Sequence, residues 1–254
     1  MPLVAIVIVL AFFAVARRRK WPFAERVEAQ WIRVRPSVVS YIRASPATFA
    51  YLLVLSITTL VMVSSSNQVV TLLLREHSTN LHELFASPMR VLVLSAFWAP
   101  NYEFLVWAIL FALVLAPAER WLGTSRWAAV FALGHVLATF GVAWGLWLAI
   151  RHGYAAKHLE NAIDVGVSYG FVSVAAVFSY RLPRRWRWPW AVALVVVTIT
   201  ALLVGRTFTD AGHFLAVVIG FACYPLTRSA PIRSRAAGPI WSVKSPPPIE
   251  PSAE

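Results

Sequence analysis

The stretch Asp164-Val-Gly166-Val-Ser168-Tyr169-Gly170 stands at the head of an apolar run that ends near Tyr180. It sets a serine between two glycines inside a segment that reads as a membrane span, with a carboxylate four residues before the serine. Further along, Asp210-Ala-Gly212-His213 opens a second apolar run. If both runs cross the membrane in the same direction, Ser168 and His213 lie at similar depth.

The composition supports the membrane reading. The chain is 59% hydrophobic and 13% charged, against roughly 45–50% and 25% for a soluble domain. Apolar runs of about 17–24 residues recur, each long enough for a roughly 30 Å hydrocarbon core. They do not alternate, which excludes a membrane β-barrel. The chain is therefore expected to be an all-α polytopic bundle integral to the bilayer. Its formal charge is +12, but the basic residues cluster in loops beside spans, as the positive-inside rule expects, so nucleic acid is not an expected partner. Trp127, Trp147, Trp188 and Trp190 lie near span ends and suit interfacial anchoring rather than base stacking. The single cysteine, Cys223, excludes an internal disulfide. No glycine-rich phosphate loop and no Cys/His cluster is present, so neither cofactor nor metal is expected.

In chain order, residues 1–16 form a short hydrophobic segment followed by Arg17-Arg-Arg-Lys20. Basic residues after the apolar core are the reverse of a signal peptide, so this segment reads as a short extra span or a membrane-dipping anchor. Residues 17–44 are basic and carry Trp21, Trp31 and Tyr41, as fits either an interfacial helix on anionic lipid or a cytosolic linker. A six-span membrane domain follows over 45–226. Its spans are expected near 46–63, 102–116, 127–150, 163–180, 189–205 and 211–226, with a polar loop over 67–90 and an interfacial segment over 91–99 ended by Pro100-Asn101. Residues 227–254 read as a basic, then Pro-rich, disordered tail.

Orientation follows from counting Lys and Arg. With residues 17–44, the 2–3 turn, the 4–5 loop and the tail on one side, eighteen basic residues face five on the other. Residues 17–44 and the C-terminus are then cytoplasmic. Spans 4 and 6 both run inward. Ser168 lies roughly 8 Å and His213 roughly 3–5 Å below the start of its span, at 1.5 Å per residue.

Serine is a weak nucleophile until a base takes its proton, and histidine is the usual base. Asp164 is i−4 to Ser168 and Asp210 is i−3 to His213, so each acid shares a helix face with its candidate partner. Asp210 stands where the acid of a triad would orient the imidazole. Packing explains part of the same pattern. Gly166-xxx-Gly170 and Ala216-xxx-Gly220 are small-xxx-small repeats of helices pressed together in lipid. Asp164 and Asp210 near helix starts also suit the macrodipole as caps. An ionisable group such as His213 inside a span is costly enough to suggest function. His135 reads as a packing or hydrogen-bonding residue, and Glu103 stands near the outer end of span 2.

Three blocks together resemble the rhomboid family of intramembrane serine proteases. Glu119-Arg-Trp-Leu-Gly123-Thr-Ser-Arg126 is similar to the rhomboid Glu-x-x-x-Gly-x-x-Arg turn. Gly166-Val-Ser168 resembles its Gly-x-Ser nucleophile motif, and Gly212-His213-Phe-Leu-Ala216-Val-Val-Ile-Gly220 its Ala-His-x-x-Gly-x-x-x-Gly. The resemblance implies a divergent protein of the bacterial plasma membrane with a Ser168/His213 dyad. Its partners would be transmembrane segments of other proteins, cleaved by a protease or bound without cleavage by a pseudoprotease. Two departures bear on that choice. Tyr169 replaces the glycine after the family's serine, and the family's His-x-x-x-Asn falls at Glu103 and Trp107. Both sit where the oxyanion would be held. The remaining alternative, a transporter with accidental matches, lacks the paired inverted repeat and broken spans of such folds.

Overall fold

The computed structural model describes residues 11–12, 14–99, 103–162, 164 and 167–228. Gly166, Pro100-Asn101, most of the N-terminal segment and the tail beyond Arg228 lie outside the described residues. The chain divides into two units, Met1–Ala44 with Ala236–Glu254, and Ser45–Arg235.

In the first unit, α1 (Pro22–Arg43) starts on a proline whose missing N–H is harmless at that position. Arg17 pairs with Glu28 at 3.5 Å, and the Phe12 and Trp21 rings meet edge to face.

The second unit is all-helical among its described residues. After α2 (Pro46–Ser64) come three short helices, α3 (Asn67–Glu76), α4 (Leu81–Ala86) and α5 (Pro88–Ser95). The stretch expected to be a polar loop is thus largely helical. Ser66 and Asn80 cap α3 and α4, their side chains accepting from the N–H groups of Val69 and Glu83. Next are α6 (Phe104–Leu122), α7 (Thr124–Arg151), α8 (Val167–Phe178), α9 (Arg184–Val204), α10 (Phe208–Ala222) and the single turn α11 (Pro225–Arg228).

Among the described residues, five helices are long and apolar enough to cross a membrane: α2, α6, α7, α9 and the run Phe208–Arg228. The protein is an integral membrane protein. The segment expected as span 4 is the exception. At twelve residues, α8 is about 18 Å long and too short to cross a roughly 30 Å hydrocarbon core alone. It lies at the centre of the bundle, with ten of its residues buried, against α7, α10 and the middle of α6. Small side chains allow that approach. A Cβ on Gly134 of α7 would overlap Ser173 of α8, and one on Gly220 of α10 would overlap the Ser173 carbonyl. Ala216 and Gly220 of the predicted small-xxx-small repeat therefore face α8. Gly170 turns the other way, with the Phe131 ring of α7 at 2.6 Å from where its Cβ would stand.

The second span runs past its expected end. Within α6, residues Phe111–Leu115 widen to a π turn, in which the Ala116 N–H donates to the Phe111 carbonyl. Pro117 follows, and a proline that cannot donate inside a helix is a known cause of such local rearrangement. The helix then continues to Leu122.

The α6–α7 turn is built around a buried carboxylate. Glu119 is 1% exposed and accepts from the Ala47 N–H (3.0 Å), the Thr48 N–H (2.8 Å), the Thr48 hydroxyl (2.8 Å) and the Thr124 hydroxyl (2.7 Å). It thereby satisfies N–H groups at the start of α2, where the helix dipole also favours a negative charge. The Ser45 hydroxyl donates to the Ala116 carbonyl. Gly123 takes φ 81°, ψ 153°, a region essentially limited to glycine, and the Arg126 guanidinium donates to the Leu122 carbonyl at 3.5 Å. Each residue of the turn motif thus holds the corner where α2, α6 and α7 meet.

Candidate functional site

Ser168 is the second residue of α8 and His213 lies in the second turn of α10; both are half-buried. The two helices pack directly on each other. Among the described residues, no hydrogen bond joins Ser168 to His213. The aromatic neighbour of the imidazole on α8 is Tyr169, whose ring meets His213 edge to face at 5.3 Å between centroids.

Tyr169 is fully buried. Its ring packs with Ala138 of α7 and Ala216 of α10, flanked by Val172, Leu215 and Ile219. A Cβ on Gly212 would overlap that ring. The glycine before His213 and the tyrosine after Ser168 therefore fit each other: the large side chain needs the space that Gly212 leaves.

The Tyr169 hydroxyl donates to Asp164 Oδ2 at 2.9 Å. Asp164 lies in the loop ahead of α8 and is 5% exposed. Its carboxylate also accepts from the Thr79 hydroxyl (3.1 Å) and, more weakly, from the Thr209 hydroxyl (3.4 Å). Its backbone joins in, the N–H donating to Ser78 Oγ (2.6 Å) and the carbonyl accepting from the Thr79 N–H (2.8 Å). Burial raises the carboxyl pKa above the ordinary aspartate value, and the hydrogen bonds from Tyr169, Thr79 and Thr209 act in the opposite direction. One carboxylate thus ties the α3–α4 connection to the heads of α8 and α10.

Asp210 stands in the first turn of α10. It forms a capping box with Thr207. The Thr207 N–H donates to Asp210 Oδ2 (3.1 Å), and the Asp210 N–H donates to Thr207 Oγ1 (3.2 Å).

At the head of α6, Trp107 Nε1 donates to Glu103 Oε2 at 2.9 Å, and the Trp107 ring meets Phe171 of α8 edge to face at 5.5 Å. The one indole donor at these two positions is already taken by the neighbouring carboxylate. His135 Nε2 approaches the Leu92 carbonyl (2.8 Å) and Ser95 Oγ (3.4 Å), so it joins α7 to α5. Among the described residues no group of three or more His, Cys, Asp or Glu is arranged to hold a metal ion.

The helices that carry the three blocks follow one another in a single helical unit and pack on each other. The family model described as rhomboid-like protein matches residues 40–233. The chain belongs to the rhomboid-like family. The match spans Glu119, Ser168 and His213 and begins at the end of α1. Neither a curated protein nor a solved structure matches significantly. In this rhomboid-like chain, the residues that the motifs do not mark are Ser78, Thr79 and Thr209. Thr209 is next to Asp210 in sequence, but Thr79 stands 85 residues from Asp164, and no local pattern pairs them.

Proposed function

We propose that this rhomboid-like protein is a six-span membrane protein of the bacterial plasma membrane that binds transmembrane helices of other proteins without cleaving them. α8 counts as the fourth span, and residues 17–44 and the C-terminus face the cytoplasm. The observation that carries the non-catalytic reading is that His213 meets the Tyr169 ring and makes no hydrogen bond to Ser168 among the described residues. A general base must reach the hydroxyl it deprotonates. The Glu103–Trp107 pair supports the same reading, because it leaves no free donor from these side chains for an oxyanion. Losing one such donor costs about 3–4 kcal/mol of transition-state stabilisation in a soluble serine protease. What remains is a bundle with exposed apolar helix faces, suited to holding another span.

A second reading, intramembrane serine proteolysis, is favoured by one fact: Ser168 and His213 are half-buried at the heads of two helices in direct contact. Ser168 Oγ would then attack the scissile carbonyl. His213 would take its proton and pass it to the leaving amine, and water would release the acyl group by the reverse steps.

A fluorophosphonate probe on the purified full-length protein in mild detergent separates the two. Helix binding without cleavage predicts no labelling of folded protein. Labelling that disappears in both Ser168→Ala and His213→Ala would overturn it and establish the protease.

A further inference from the structure

Of the helices long and apolar enough to cross a membrane, α9 has the smallest buried share. Thr198 is its one buried residue, and it packs on α10 along one face. Between α9 and α10 lies a groove of about 550 Å³, within the roughly 300–1,000 Å³ usual for ligand sites. Ala191, Val192, Val195 and Phe221 line its body, and Arg187 with Tyr180 and Tyr224 closes one end.

That end is strongly positive. Arg184, Arg185 and Arg187 occupy the first turn of α9, which has no acidic residue. Arg228 lies over the Tyr224 ring at 5.1 Å. Cations at a helix N-terminus oppose the macrodipole and add to its positive potential. Among the described residues, no carboxylate forms an ion pair with any of these four arginines. Arg187 Nη2 donates to the Tyr180 carbonyl at 3.1 Å, but its Nε–H is shut away from water with no acceptor. The Arg187 side chain nonetheless lines the groove, and a guanidinium is a favoured partner of phosphate oxygens.

The groove therefore has an apolar body within the membrane and a cationic end at the membrane boundary. From Arg187 to Val196 it extends roughly 13 Å along the helix at 1.5 Å per residue. Basic pockets between membrane helices are the ordinary receptors of anionic headgroups. We propose that the groove between α9 and α10 binds an anionic phospholipid, with an acyl chain along Ala191, Val195 and Phe221 and the phosphate at Arg187. The site is separate from the Ser168/His213 region and independent of whether the protein cleaves its partners.

The test is native mass spectrometry of the full-length protein in mild detergent. The probes are phosphatidylglycerol, phosphatidylcholine with the same chains, and glycerol phosphate as a chainless headgroup. Phosphatidylglycerol should bind at least roughly five-fold more tightly than phosphatidylcholine, the gain expected from one basic side chain against anionic lipid. Glycerol phosphate should not bind measurably. Arg187→Gln should remove the preference, Arg187→Lys should keep most of it, and Ala191→Phe, which fills the groove, should abolish retention of phosphatidylglycerol. Equal binding of the two lipids by the wild type would overturn the proposal without reference to any variant. So would a preference that survives Arg187→Gln, glycerol phosphate binding as tightly as the lipid, or retention unaffected by Ala191→Phe, which would mark surface attraction alone. A groove that rejects both lipids and cross-links to another protein's transmembrane helix would also overturn it.

Discussion

Replacing Asp164 by Asn and by Ala should have very different effects. The carboxylate accepts from Tyr169 and Thr79 on one oxygen and from Thr209 on the other. An asparagine whose amide oxygen replaces Oδ2 keeps the first two bonds. Its NH2 group then faces Thr209, whose hydroxyl turns to accept. The variant also relieves the desolvation of a buried charge, so its net change should stay within about 1 kcal/mol. Alanine leaves the fully buried Tyr169 hydroxyl without an acceptor, at about 1–3 kcal/mol. Thr79 keeps its bond to the Asp164 carbonyl, but the side-chain tie to α10 is lost, for a total of about 2–4 kcal/mol. At 2–4 °C per kcal/mol for a chain of this size, Asp164→Ala should lower Tm by roughly 5–15 °C and Asp164→Asn by less than about 4 °C. Thermal unfolding of the purified proteins in one detergent measures both. The sign of the pH response follows from the same geometry. Burial raises the folded-state pKa, so the stability tied to this group is fully present at low pH and is lost as pH rises through that value. Wild type should therefore gain on the Asp164→Asn variant as the medium is acidified. An Asn variant that falls as far as the Ala variant would refute the reasoning, because the charge itself would then be what the fold requires.

Three further predictions concern the corner and the crossing that hold the bundle together. Glu119→Gln turns one acceptor oxygen into a donor facing the α2 N-terminus and should cost about 2–4 kcal/mol, seen as a Tm loss of similar size to that of Asp164→Ala; an unchanged Tm would show that Glu119 is not the cap. Gly123→Ala has no steric neighbour within 4 Å, so only its backbone angles matter, and a loss of about 1–3 kcal/mol is expected; a neutral result would mean that the turn relaxes to another conformation. Gly220→Ala puts a methyl into the Ser173 carbonyl and should cost about 1–3 kcal/mol or more through forced separation of α8 and α10, read as loss of monodisperse protein in size-exclusion chromatography; normal yield and Tm would show that the two helices are not in close contact there.

Apolar run length made most of the spans legible in the sequence, because bilayer thickness fixes how many residues a helix needs to cross. The central position of α8 was not legible, since apolar side chains look alike whether they meet lipid or other helices. Gly123 and Arg126 were readable because their roles are local, a glycine-only backbone angle and a helix-end donor. Glu119 was marked by the same motif, but its partners Ala47 and Thr48 stand 72 and 71 residues away and only the fold brings them to it.

The site divides along the same line. The sequence by itself determined that a serine, a histidine and two acids stand at the heads of two apolar runs, and that Tyr169 stands where the family has glycine. Which of those side chains meet was decided only by the tertiary structure. Successive residues of a helix point about 100° apart, so whether Ser168 or Tyr169 faces His213 depends on how α8 is rotated. That rotation is set by Gly212, Gly134 and Phe131 on other helices. Asp164 likewise acquires its role from Thr79, a partner brought to it by the folding of the whole domain.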